Sequence, residues 1–283
     1  MDLQFLNQVE FPILYRAFLE AFSDYVIPLQ PSEEALREMF TRRGANLGLS
    51  AGVFENGKLV GFTINAIDHF EGVLTIYDTG SGVHPEYRRR GISDAIFRFL
   101  LPKLKETGAE QYLLEVFENN LPAVRLYQKI GFQTFRKFRA YRGFVSKTSR
   151  DSNFQIRETT PDWNFWKTQW EWQPSWQNSI ASIERSESPR ITLGIFHDAV
   201  LIGYGIVYPA SGDVPQLCID QDHKRIGAGA VLLSTLQEKA GKEFRVINVE
   251  DTADSTIQFL ERMGLQVFGT QLEMRMKLME RRL

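Results

Sequence analysis

Val83-His84-Pro85-Glu86-Tyr87-Arg88-Arg89-Arg90-Gly91-Ile92-Ser93 is the stretch around which the rest of the chain is read. Upstream, Gly72 to Gly82 reads as a strand that loosens into Gly and Thr. Downstream, Ile92, Ile96, Phe99/Leu100 and Leu104 recur at helical spacing until Gly108. A basic, glycine-bearing turn therefore opens a helix, where free backbone N–H groups and the positive dipole end favour an anion. Gly91 would let a phosphate approach the backbone closely. A Walker-type loop needs Gly-Lys-Ser/Thr and a dinucleotide loop needs three glycines; neither pattern is present.

A second segment lies downstream: Glu115-Val116-Phe117-Glu118-Asn119-Asn120, then Ala123-Val124-Arg125-Leu126-Tyr127-Gln128-Lys129-Ile130-Gly131-Phe132. Together the two resemble the GNAT superfamily of N-acetyltransferases. Arg88-x-x-Gly91-x-Ser93 is similar to the family's acyl-CoA pyrophosphate loop, Gln/Arg-x-x-Gly-x-Gly/Ala, with Ser93 as a small-residue departure. The downstream segment resembles its strand, asparagine and "LYxKxGF" helix, in the same order and at the same distance. The resemblance covers residues 3 to 145 well and the remainder more faintly. It implies an α/β fold with a mixed sheet, acetyl-CoA as cosubstrate, and an amine of a small molecule or peptide as acceptor.

The chain has 283 residues, so two domains are the first expectation, and 43% apolar residues suffice for two cores. A formal charge of −2 argues against a general nucleic-acid binder. Cys218 is the only cysteine, and His69, His84, His197 and His223 show no metal-ligand spacing, so no metal is expected. No apolar run approaches a membrane span and no signal start is recognised. The expectation is a soluble, cytoplasmic protein without a membrane partner; nothing in the sequence speaks to homo-oligomers.

Leu3 to Asn7 is a short candidate strand, and Pro12 opens a helix whose Leu14, Phe18 and Phe22 line one side. That helix runs out at 23–28, and Pro31-Ser32-Glu33-Glu34 starts another with an N-cap and an acidic first turn. Glu55-Asn56-Gly57 marks a hairpin between alternating strands. Gln111 to Phe117, a helix from Asn119/Asn120 to Gly131, and two short strands within Gln133 to Phe144 complete the expected order β-α-α-β-β-β-α-β-α-β-β.

A polar stretch at 146–153 reads as a linker between residues 1–145 and 154–283. Beyond it the plan repeats. Leu193 to Tyr204 mirrors Ala51 to Phe62, Lys224 to Gly229 mirrors Arg88 to Ser93, and Phe259 to Leu265 mirrors Leu126 to Phe132. This is an internal duplication of one domain.

Acetyl transfer to an amine poses two proton problems: the ammonium must lose a proton, and the departing thiolate gains from a donor. By resemblance, Tyr127 is the acid for the thiolate and Asn120 contacts the CoA arm; an aromatic on an amphipathic helix is the structural reading of Tyr127. Glu115 interrupts an apolar strand, where an unpaired carboxylate is expensive to bury. The resemblance makes it the base acting through water, with Asp78 competing from the preceding strand. Ser81, Gly82 and Val83 would meet the pantetheine arm and polarise the thioester carbonyl, while Arg88, Arg89, Arg90, Gly91, Ile92 and Ser93 would hold the pyrophosphate. For the arginines, spacing alone leaves a solvated basic turn open. Asp24 and Tyr25 lie where the family closes over its acceptor, and turn chemistry accounts for them equally well.

In the second half, Asn248, Ala253 and Leu260 stand where Glu115, Asn120 and Tyr127 stand in the first. That half reads as a degenerate copy. Its five tryptophans, Trp163, Trp166, Trp170, Trp172 and Trp176, are expected in core packing or a domain contact rather than against an acceptor. The opposing reading of the whole chain is a non-catalytic acyl-CoA-binding or regulatory module on the same fold.

Overall fold

The computed structural model describes residues 2–25, 29–146 and 153–278. The chain forms two compact units, each a mixed α/β assembly. In the first, strand β1 (Asp2–Phe5) is followed by helices α1 (Phe11–Ala21) and α2 (Glu33–Arg43). Pro12 sits in the first turn of α1, where its missing N–H costs nothing. Ser32 caps α2 through a bond from Ala35 N, 3.2 Å, and Gly44 ends it in the left-handed region. Leu14, Phe18, Leu36 and Phe40 bury against Phe62 and Ile64 of the sheet.

Strands β2 (Ala45–Glu55), β3 (Lys58–Phe70) and β4 (Val73–Val83) form an antiparallel meander. Asn56 and Gly57 both have positive φ, the two-residue turn that matches strand twist. Helix α3 (Ile92–Glu106) returns the chain to β5 (Gln111–Phe117), which pairs parallel with β4 from Thr75↔Gln111 to Asp78↔Leu114. Helix α4 (Leu121–Ile130) follows. Gln133–Gly143 is one continuous strand, β6, where two short strands were expected; no turn signal interrupts Gln133-Thr134-Phe135-Arg136-Lys137-Phe138.

The second copy repeats the plan. It runs through β7 (Phe154–Glu158), α5 (Trp163–Trp166), α6 (Ile180–Arg185), β8 (Ile191–His197), β9 (Val200–Tyr208) and β10 (Asp213–Ile219). Then come α7 (Ala228–Ala240), β11 (Phe244–Glu250), α8 (Asp254–Arg262) and β12 (Gln266–Lys277). Trp166 and Trp176 are fully buried, and Trp166 packs with Ile183, Tyr204 and Ile206, with Trp163 and Trp170 at the margin.

The units are drawn differently from 1–145 and 154–283 at the final strands, and Arg185–Glu187 also belongs to the first. Arg136 onward belongs to the second unit, where β6 runs antiparallel to β11, and Glu273–Lys277 of β12 belongs to the first, beside β5. The final strands of the two copies are exchanged. An amphipathic strand carries no label for which of two equivalent edges it will complete, so sequence pattern cannot show this. The expected linker lies, for 147–152, outside the described residues, as do 26–28 of the turn after α1.

Candidate active site

In the first unit, β4 and β5 separate beyond Asp78 and Leu114, while β4 keeps pairing with β3 as far as Gly61↔Val83. The edge of residues 79–83 that faces β5 is therefore a place where an extended ligand could add as a strand. A register shift at Thr79 marks a bulge at the parting. The Asp78 carboxylate fastens that bulge: it accepts from Gly80 N at 2.9 Å and from Ser81 Oγ at 2.7 Å. Arg43 Nη1 adds a bond to Thr79 O at 2.8 Å. Burial pushes the Asp78 pKa up to about 6, against the pull of Ser81, Gly80 and Arg43.

Tyr127 projects from α4 into the same place. It is buried, ringed by Phe97 and Phe132 at 6.0 and 5.8 Å, and its hydroxyl meets that of Ser81. Burial first, then the nearby Asp78 and Tyr25, hold its pKa well above the ordinary tyrosine value, so the hydroxyl keeps its proton. Asn120 is the N-cap of α4, accepting from Ala123 N at 3.4 Å, and it also hydrogen-bonds Tyr25. The Tyr25 ring meets Phe22 and Phe117 edge-on at 5.2 and 6.3 Å.

Alternation along β5 puts Glu115 on the face of Leu113 and Phe117, opposite Tyr112, Leu114 and Val116. Tyr112 lies under Phe97 and Phe132 and donates to Asn65 Oδ1 at 2.5 Å. Glu115 is thus half-buried on the side where Phe117 meets Tyr25, and Asp78, in register with Leu114, is on the side of Tyr112 and Tyr127.

In the anion loop, Arg89 and Gly91 both have positive φ, at 63° and 76°. Such alternation turns successive N–H groups inward to form an anion nest at the start of α3. Ile92 buries its side chain against Gly61, where a Cβ would come within 2.5 Å. Gly82 is glycine for a related reason: a Cβ would stand 2.8 Å from that of Ala21 and 3.0 Å from Phe62, so α1 packs directly on β4. Arg90 stacks over Tyr87, 4.9 Å from the ring centre. Arg88 is committed elsewhere, with a bidentate bond to Asp24 at 2.7 and 2.7 Å and further bonds to Ala21 O and Val83 O. Asp24 and Arg88 are thus brought to each other. Neither this pairing nor the roles of Asn65 and Arg43 left a signal in the sequence, because each joins residues tens of positions apart.

A sequence model described as the acetyltransferase (GNAT) family matches residues 11–132 and again 154–265. The chain belongs to the GNAT acetyltransferase family. Both fold class and tandem duplication expected from the sequence are borne out.

Among curated relatives of this GNAT chain, the [ribosomal protein bS18]-alanine N-acetyltransferase of Escherichia coli K12 is 32% identical over 78 residues. That match covers 28% of this chain and 50% of the relative. An N-alpha-acetyltransferase of Sulfurisphaera tokodaii is 32% identical over 95 residues, 30% of this chain and 57% of the relative. The chain thus spans about half the length of these relatives. A GCN5-related N-acetyltransferase from Sphaerobacter thermophilus superposes with a TM-score of 0.73 at 13% identity, covering 99% of this chain and 96% of the other. A tandem GNAT protein from the clavulanic acid biosynthesis pathway gives 0.70 at 15% identity, with 99% of each covered. At such identities the likeness concerns fold. Among the described residues no helix is long and apolar enough to cross a membrane, and no cluster of His, Cys, Asp or Glu could hold a metal.

The second GNAT copy keeps the loop but not the polar groups. Arg225 and Gly227 repeat the positive φ of Arg89 and Gly91, at 68° and 90°. Strands β10 and β11 share one pair, Asp213↔Arg245, before parting, and a cavity of 1020 Å³ opens there. Val214, Leu217, Lys224, Phe259 and Leu260 are among its lining residues. Residues 169–178 cross this copy. Gln169 Oε1 accepts from Gln221 N, 3.2 Å, and the Glu171 carboxylate accepts from Ser255 N and Thr256 N at the start of α8, 2.9 and 3.1 Å. Trp172 Nε1 donates to Asn248 O at 3.1 Å, Asn178 Nδ2 to Ile247 O at 2.9 Å, and Asn248 Nδ2 to Ser175 Oγ at 2.8 Å.

Proposed function

We propose that this GNAT chain transfers the acetyl group of acetyl-CoA to an amine of a small molecule or peptide, and that the chemistry belongs to the first copy. The observation that carries this is the polar group at the parting of β4 and β5: Tyr127 beside Ser81 and Asp78, with Glu115 on the opposite face of β5, which it shares with Phe117.

Acetyl-CoA would add along residues 81–83, its pyrophosphate held by main-chain N–H groups of 89–93. Glu115 takes the ammonium proton, directly or through water, and the amine attacks the thioester carbonyl. The C–N bond forms, the C–S bond breaks, and the products are the acetylated amine, the CoA thiol and one proton released to solvent. Tyr127 supports the departing thiolate. Its pKa stands above 10, and a thiol's is about 8.5, so complete proton transfer is uphill and the hydroxyl acts as a donor as the sulfur gains charge. Asp78 is the weaker base: its oxygens already accept from Gly80 and Ser81, and its role is to fix the bulge. Asn120 holds Tyr25 and the CoA arm at the same edge.

The relatives named as a ribosomal-protein-alanine N-acetyltransferase and an N-alpha-acetyltransferase support an amine acceptor. Release of free thiol from acetyl-CoA over a panel of peptide N-termini, polyamines, amino acids and aminoglycosides tests the reading. Turnover with one class is the expected result. Binding of acetyl-CoA without turnover on any amine would favour the non-catalytic module.

A further inference from the structure

The anion loop contains three arginines, and charge alone makes each a phosphate ligand. Arg88 is used differently. Its Nη1 and Nη2 grip both oxygens of Asp24, Nη2 also reaches Ala21 O at 3.0 Å, and Nε reaches Val83 O at 3.2 Å. One guanidinium thus joins the C-terminal end of α1, the turn after it and the end of β4. The Asp24 carboxyl is drawn below the usual carboxylate range, first by its hydrogen bond to Arg88.

Stability is a poor reason for such a pair. Its side chains are 40% and 54% exposed, and an ion pair in that setting contributes little to folding. Geometry is the better reason. Tyr25 follows Asp24, and its N–H bonds back to Phe22 O at 3.2 Å, so holding Asp24 also sets the direction of Tyr25. Tyr25 in turn meets Asn120 and the Phe117 ring on the Glu115 side of β5. The second copy ties down the stretch after α5 with a different pair of side chains. There Gln169 bonds the 221–223 turn ahead of the loop, and Glu171 bonds the start of α8. In both copies side chains fix the position of the stretch that follows the first helix.

We propose that Arg88 and Asp24 form a clasp that places Tyr25 at the amine side of the first site, and that Arg88 is a positioning residue rather than a ligand of the CoA phosphates. This deepens the function proposed above and rests on it for the acceptor, but not for the binding of acetyl-CoA.

The test is a cycle of Asp24→Asn, Arg88→Gln and the double variant, with Arg88→Lys as the conservative control. Calorimetry with acetyl-CoA should give a Kd within about twofold of the parent in all four, because the anion nest is main chain. With the best acceptor from the amine panel, KM should rise roughly three- to tenfold with kcat changed less, and the double variant should be no worse than either single. Independently of any acceptor, amide exchange at Tyr25 should quicken alike in Asp24→Asn and Arg88→Gln. The proposal is overturned if Arg88→Gln weakens acetyl-CoA tenfold or more while Asp24→Asn does not. Additive effects in the cycle, or unchanged exchange at Tyr25, would overturn it equally. Failure of every amine to react would count against the proposed function, while the calorimetric and exchange results would still decide the clasp.

Discussion

The two copies differ most at three matched positions. In the first, Asp78, Ser81 and Tyr127 form a polar chain at the parting of the central strands. The offset that carries Arg88 to Lys224 carries Asp78 to Val214 and Ser81 to Leu217, and the offset between Gly131 and Gly264 carries Tyr127 to Leu260. All three of these apolar residues line the second copy's cavity. The backbone was kept, down to the positive φ of Arg225 and Gly227, while the polar chain was replaced by apolar surface. The main-chain loop and the packed helices do not depend on those side chains, so the fold persists without them.

The comparison breaks most visibly if the second copy turns over substrate. Tyr127→Phe combined with Glu115→Gln should lower kcat by about a hundred- to ten-thousandfold, the range for lost acid–base groups. Single-turnover release of thiol measures it. Retention of near-parental turnover would move the chemistry to the second copy, or to other groups of the first.

Asp78 sharpens the comparison through pH, since Val214 cannot titrate. Its pKa is raised from 3.8 to about 6, so the folded state holds the proton more tightly than the unfolded chain. Its contribution to stability is full below about pH 4 and is lost as pH rises through about 6. Between those limits the change is on the order of 3 kcal/mol at most. Asp78→Asn removes the titration. Chemical unfolding should therefore show the variant gaining on the parent from pH 4 to pH 7.5, in the transition of the first unit. A difference independent of pH would mean the carboxylate is solvated in solution.

Gly91 and Gly227 form a matched pair with unequal consequences. Each lies in the left-handed region with nothing within 4 Å of an added Cβ, so a valine there is strained by backbone alone, by about 1–3 kcal/mol. Gly91→Val should weaken acetyl-CoA by roughly tenfold and lower kcat/KM accordingly. Gly227→Val should leave turnover as in the parent. Equal losses of turnover from both would show that the second loop serves the reaction.

Much of this was legible before any coordinates. Pro12, Ser32, Asn56-Gly57 and Gly131 announce where elements begin and end because each acts on its own backbone. The duplication was legible because loop and hairpin repeat almost residue for residue. What stayed hidden depends on distant partners. The close packing of Ala21 on Gly82 and the bond from Arg88 to Asp24 each join positions some sixty residues apart. The exchange of β6 and β12 was invisible because both strands suit either edge. The crossing of the second copy by 169–178 was concealed in a stretch whose tryptophans suggested core packing or a domain contact.

That crossing leads to the smallest expected effect. Leu260→Tyr restores the missing hydroxyl at the position of Tyr127, and a simple account of degeneration would expect some activity to return. Two features argue that none will. The partner that Tyr127 finds in Ser81 is Leu217 here, so the new hydroxyl has no matched group to orient it. Asn248, fully buried in the place of Glu115, is held by Ser175 and Trp172, so the chain itself occupies the side from which an amine would approach. The measurement is turnover by Leu260→Tyr in the Tyr127→Phe, Glu115→Gln background, against that background alone. Equal rates support a second copy closed to acceptors by its own residues. A tenfold or greater recovery would mean that one hydroxyl was all it lacked, and that 169–178 moves aside in solution.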